Sequence, residues 1–282
     1  MKSMETPTAM PAARPTFGAV GAWSHLTGGK NIFHKEILEW FRTRRFLVTV
    51  VVATLIMVAL PVGVWIVRYD GLTDGRATLP TADAANARSD GAGTLYWLSS
   101  YLAIVLTAGM LVREREAGTA QWVFTKPVSR LGYGLAKWAA NSLGVILATI
   151  VVPGVVSFGL LTAMYHVPGW SWADQFLAVG LIAIHAAVVV ALMLALGAIF
   201  TSIVPVVAAA LGLSVGPVFL SPLLDDGALR WYPVFRMDDL ISAVAGGHPV
   251  SGADLAPVAS GLMFLVLCLY FAGFRLSRQE LQ

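Results

Sequence analysis

REREAGTAQWVFTKPVSRLGYGLAK, residues Arg113 to Lys137, is a charged segment set between two long apolar ones. Its neighbours, Thr94 to Val112 and Ala139 to Ala163, have about the 20 residues that cross the hydrocarbon core of a bilayer. The segment therefore reads as a water-exposed handle on a bundle of membrane helices.

Four further stretches of similar length lie on either side of this core: Phe46 to Val67, Phe176 to Phe200, Val204 to Leu223 and Leu255 to Phe274. None of the six contains Asp, Glu, Lys or Arg. Each such residue at a helix centre costs roughly 2.5 to 3.5 kcal/mol on the insertion scale, so the absence constrains mechanism as well as topology. Composition agrees, with 57% hydrophobic and 12% charged residues among 282, against roughly 25% charged in a soluble domain. A net charge of +3 without a concentrated basic surface gives no nucleic-acid partner. The single cysteine, Cys268, lies in an apolar run and supports neither a disulfide framework nor a metal cluster.

Orientation follows from the loops. The chain before the first span carries seven Lys or Arg, the 113–138 loop five and the tail two (Arg275 and Arg278), whereas the loops on the other side share five. The positive-inside rule then places both termini in the cytoplasm. The expected fold is all-α: a polytopic membrane protein of six transmembrane helices preceded by an amphipathic interfacial helix. Residues 1–30, rich in Ala, Pro, Gly and Thr, are expected to be a disordered cytosolic arm. The interfacial helix is 31–45, the six-span domain 46–274 and the cytosolic tail 275–282.

In the interfacial helix Phe33, Ile37, Trp40 and Phe41 fall at i, i+4, i+7 and i+8, an apolar stripe with Lys35, Glu39 and Arg42 around it. Such a helix lies on a membrane surface, with Arg42, Arg44 and Arg45 at the headgroups. A plain anchor fits the same residues. The outer loop 224–254 sets Trp231, Tyr232 and Phe235 among acids and arginines. That composition suits both a segment dipping into the membrane and an interfacial aromatic belt. Small residues recur every four positions at Ala183, Ala187, Ala191 and Ala195, and again at Ala208, Gly212 and Gly216, the pattern of close helix packing.

Little catalytic chemistry is present. The nearest approach to a phosphate loop, Thr27-Gly28-Gly29-Lys30-Asn31, has Ser24 where the leading glycine belongs and Asn31 in place of Ser or Thr. The chain is therefore not expected to bind ATP by that motif. It carries no HExxH. His185 is the one ionisable residue near the middle of a span, and it reads either as a packed histidine or as the relay of an ion-coupled carrier.

The 113–138 loop holds the remaining candidate residues. Glu114, Glu116, Gly118 and Thr119 precede Trp122, Val123 and Phe124, so a short helix there would carry acids at its start and an apolar face toward a partner. Pro127, Val128, Ser129 and Arg130 turn the chain back, and Ser129 is placed to cap the next helix, which runs through Tyr133 and Lys137. The run EREAGTAQWVFTKPVSRLGYGLAKW resembles the cytosolic loop of permease subunits of type-2 ABC transporters. Glu114, Glu116, Gly118, Thr119, Pro127, Val128, Ser129, Arg130 and Lys137 carry the likeness. Trp122, Phe124 and Lys126 depart from it, standing where that family more often has leucines.

The resemblance implies a permease that pairs with a second permease copy and with separate cytosolic nucleotide-binding subunits, which would hold ATP and Mg; no cofactor is expected on this chain. It implies that Glu114 to Phe124 is a coupling helix seated in the ATPase. Phe33, Ile37, Trp40 and Phe41 would then belong to a gate helix, and Trp231, Tyr232 and Phe235 to an outer gate. The expected function is export across the cytoplasmic membrane. Two other functions fit the residues alone: a non-transporting membrane anchor or sensor that recruits cytosolic proteins through the same loop, and an ion-coupled carrier using His185.

Overall fold

The computed structural model describes residues 28–69, 81–119, 123, 125, 128–164, 171–220 and 233–278. Among these every regular element is helical. In chain order they are α1 (Gly29–Arg42), α2 (Arg44–Tyr69), α3 (Thr81–Thr107), α4 (Val112–Glu116), α5 (Arg130–Val145), a π-helical segment (Ile146–Val151), α6 (Val152–Met164), α7 (Trp172–Ile199), α8 (Ile203–Leu220), α9 (Pro233–Gly246), a 3-10 turn (Gly252–Leu255) and α10 (Ala256–Arg278). Among the described residues four helical stretches are long and apolar enough to cross a membrane: Ala85–Glu116, Arg130–Ala163, Trp172–Ile199 and Ala256–Arg278.

α7 is the centre of the bundle. It packs against α3, α5, α8, α9 and α10, and from Val188 to Ala198 every residue on it is buried. The first small-residue ladder lies here, with Ala191 and Ala195 buried, so it serves contacts within the chain. The second ladder, on α8, behaves differently. Ala208 and Gly212 face outward while Val206, Ala210 and Ser214 turn into the bundle.

Several boundaries differ from the sequence reading. The first helix begins at Gly29, ends at Arg42 and leaves Arg44 and Arg45 to open α2; Gly28, at a φ of 79°, supplies the left-handed turn before it. The loop after the first span is shorter than its polarity suggests, because α3 starts at Thr81 and runs unbroken toward the membrane segment. Alanines in TADAANAR favour helix even without an apolar face.

Proline explains two local features. Pro61 has no N–H to offer the Met57 carbonyl four residues earlier, and Ser157 Oγ of α6 donates to that carbonyl instead, at 3.1 Å. A proline ring also crowds the carbonyl four residues back. For Pro153 that residue is Thr149, inside the widened π-helical turn between α5 and α6.

On the opposite end of the bundle from α1, α9 docks on α3 and α7. Its terminal carbonyls are taken by buried side chains: Arg88 Nη2 donates to Gly246 O at 3.3 Å and Gln175 Nε2 to Ala245 O at 3.1 Å. Ser89 Oγ donates to Ser242 O at 3.0 Å and Trp97 Nε1 to Asp238 at 2.9 Å. The aromatic cluster at Trp231 and Tyr232 lies outside the described residues, and Phe235 is placed on the first turn of α9.

Candidate functional site

α1 and α5 pack side by side over their length. Glu36 meets Lys137 and Trp40 meets Asn141 at the same separation of 101 residues, so the two helices run parallel. Tyr133, Lys137 and Asn141 repeat every four residues along one face of α5, and Glu36 and Trp40 do the same on α1. Small residues permit the approach. A Cβ on Gly144 would lie 2.4 Å from the Trp40 ring, and one on Gly29 3.2 Å from the Gly132 carbonyl.

Lys137 sits at the centre of this contact, 2% exposed. Its Nζ is 2.9 Å from a carboxylate oxygen of Glu36 and 2.9 Å from one of Glu114. Lys35, on the exposed side, approaches Glu114 at 3.7 Å and Glu36 at 4.0 Å. Tyr133 donates its hydroxyl to Glu114, and Asn141 Nδ2 donates to the Lys137 carbonyl at 2.9 Å. Three separate elements, α1, α4 and α5, thus share one buried ionic knot. An unpaired buried ammonium would be expensive, whereas two carboxylates with further hydrogen bonds offset its desolvation.

The sequence-derived site residues divide accordingly. Lys137 and Glu114 come together in the knot, and Trp40 is buried beside it with its indole N–H donated to Asn141 at 3.1 Å. Phe33 and Ile37 are half-buried, and Phe41 is 49% exposed. The face of α1 turned into the protein is therefore centred on Glu36 and Trp40 rather than on the whole apolar stripe. Glu116 and Thr119 face solvent, with Thr119 Oγ1 donating to the Glu114 carbonyl at 3.1 Å, and Gly118 adopts a φ of 67°. Trp122, Phe124 and Pro127 lie outside the described residues. Ser129 Oγ accepts from Gly132 N at 2.9 Å and so caps α5. Arg130 donates to the Leu276 and Ser277 carbonyls at 2.8 and 2.7 Å, tying the start of α5 to the end of α10.

Sequence reasoning missed Glu36, Asn141 and Gly144. Glu36 lies beside the stripe, where a charge reads as solvated, and only its four-residue spacing from Trp40 marks it. His185 is fully buried in α7, its ring 4.4 Å from that of Tyr96.

Residues 30–281 match the family described as ABC-2 family transporter protein. The chain belongs to that family. It is an integral membrane protein and a permease, the membrane component of a transport system rather than its ATPase. No match is found among curated proteins. In the permease the knot ties the first helix after residue 28 to both ends of the loop that carries the family-like motif.

Proposed function

We propose that this permease is the six-span membrane subunit of an ATP-driven exporter of the cytoplasmic membrane, with both termini inside. It works with a second permease copy and with separate nucleotide-binding subunits that hold ATP and Mg. α2, of 26 residues, and α8, of 18, have the length to supply the two spans beyond the four candidates. The chain before α1 and the C-terminal end of α10 lie on the cytosolic side.

The buried knot of Glu36, Lys137, Glu114 and Tyr133 carries the mechanistic part of the reading. A packed ion cluster transmits displacement because its members cannot separate without exposing buried charge to an apolar surround. A push on the 113–128 loop would therefore move α1 and the lead into the third span together. Exposed Glu116 and Thr119, with Trp122 and Phe124, form the surface offered to the ATPase. Glu114 faces the knot and acts as its internal tie. α1, with Phe33, Ile37, Trp40 and Phe41, is the inner gate, and the chain around Trp231, Tyr232 and Phe235 the outer one.

Mild-detergent purification of the tagged chain from its native membranes tests this reading. An ATPase subunit with a phosphate loop is expected in stoichiometric amount, and replacing residues 116–124 by a Gly-Ser linker should release it. Recovery of the intact permease without any such subunit across several detergents would defeat the proposal.

A further inference from the structure

Asp238 and Ser242 lie four residues apart on α9, on the face that docks against α3. The Asp238 carboxyl accepts from Trp97 Nε1 through Oδ2, at 2.9 Å. Its other oxygen, Oδ1, is buried and has no hydrogen-bond partner. A Cβ on Gly93 would lie 3.5 Å from Oδ1 and 3.6 Å from Ser242 Oγ, so the two oxygens border one notch over the backbone of α3.

The charges around this carboxyl give its ionised form little support. On α3, Arg88 is engaged at the Gly246 carbonyl, at the far end of α9, and Asp90, Tyr96 and Tyr101 bring no positive charge. α7 presents Asp174 and His185, the latter against the Tyr96 ring. α8 has no ionisable side chain, and on α10 only Cys268 and Tyr270 precede Arg275 and Arg278 at the inner end. Burial raises the carboxyl above its ordinary value; the Trp97 hydrogen bond opposes that rise and the charge of Asp239 adds to it.

We propose that Asp238 is a proton-binding site that latches α9 to α3, closed when the carboxyl is protonated and released when it ionises. The proton sits on Oδ1, with Ser242 Oγ the acceptor bordering the same notch, while Oδ2 keeps Trp97. Once ionised, Oδ1 is a buried charged oxygen without a donor, a cost removed when α9 lifts and water reaches it. The docked state therefore binds the proton more tightly than the lifted one, and docking weakens as pH rises through the raised value. With α9 part of the outer gate, acid outside holds that gate shut and a higher pH frees it. The latch rests on the outer-gate reading for its role and involves no ATPase, so the latch and the ATPase partnership can fail separately.

Amide hydrogen exchange of the full chain in nanodiscs tests the latch, with native chain and D238N compared at each pH so that the intrinsic pH dependence of exchange cancels. The native-to-D238N ratio of exchange rates in α9 should rise at least about fivefold between about pH 4 and about pH 8, the low end for a buried acceptor left without a donor. The same ratio for α10 should stay constant. If D238N does not fold, the α9-to-α10 ratio within the native chain cancels the same dependence and decides the matter. A ratio that is flat across this range, or that falls as pH rises, would overturn the proposal. So would an equal rise in α10, which would mean a general loosening of the bundle.

Discussion

Lys137 is buried because two carboxylates from other helices meet it, and each partner depends on the others. K137M removes the cation and leaves Glu36 and Glu114 facing each other at low exposure, which should cost about 3 to 5 kcal/mol. Thermal unfolding in detergent should show a large fall for K137M and recovery of most of it in K137M/E36Q/E114Q. A knot of no structural weight would leave K137M unchanged. At the other end of the bundle, burial raises the Asp238 carboxyl above its ordinary value, against the lowering effect of the Trp97 hydrogen bond and with the added repulsion of Asp239. The folded state then holds the Asp238 proton more tightly than the unfolded chain does. Its contribution to stability therefore rises as pH falls through the raised folded value and is a net cost above it. D238N keeps an acceptor for Trp97 and removes that cost, so it should be at least as stable as the native chain at neutral pH, the difference shrinking toward about pH 4. A difference that does not change with pH would contradict this.

Among the elements, α2 and α6 are joined by a hydrogen bond that exists because Pro61 leaves the Met57 carbonyl without its helical donor. S157A should cost about 1 kcal/mol by stranding that carbonyl. P61A restores an N–H four residues after Met57, so the same S157A change should cost less in a P61A background. A double-mutant cycle on melting temperature measures the coupling, and strict additivity would show that the serine is not serving the proline's carbonyl. Arginine plays a recurrent part at element ends: Arg88 and Arg130 donate to the final carbonyls of α9 and α10, and Arg115 to the carbonyl of Phe200, the residue that closes α7. Such contacts satisfy acceptors at a helix C-terminus and place positive charge at the negative end of its dipole.

For the whole molecule the orientation is the first quantity to fix. Val250, beyond the outer helix α9, is 41% exposed, and His34 on α1 is exposed as well. In intact cells an impermeant thiol reagent should label V250C, and should reach H34C only after permeabilisation. Native Cys268 is buried and should give little background. Labelling of H34C in intact cells would invert the topology.

The all-helical class, the apolar stretches and the charged loop were legible in the sequence by itself, because a bilayer sets helix length and charge placement by simple transfer energies. The cap at Ser129 was legible for the same local reason, since it involves neighbours three residues apart. Tertiary structure alone decided that α1 lies parallel to α5 and that Glu36, Lys137 and Glu114 form one buried knot. It also turned one small-residue ladder into the bundle and the other outward. The parallel pairing and the Glu36–Lys137 contact join residues 101 positions apart in sequence, where a buried glutamate and a solvated one look alike. Only the approach of two helix backbones at glycine, with the opposite charge waiting there, makes burial the cheaper state.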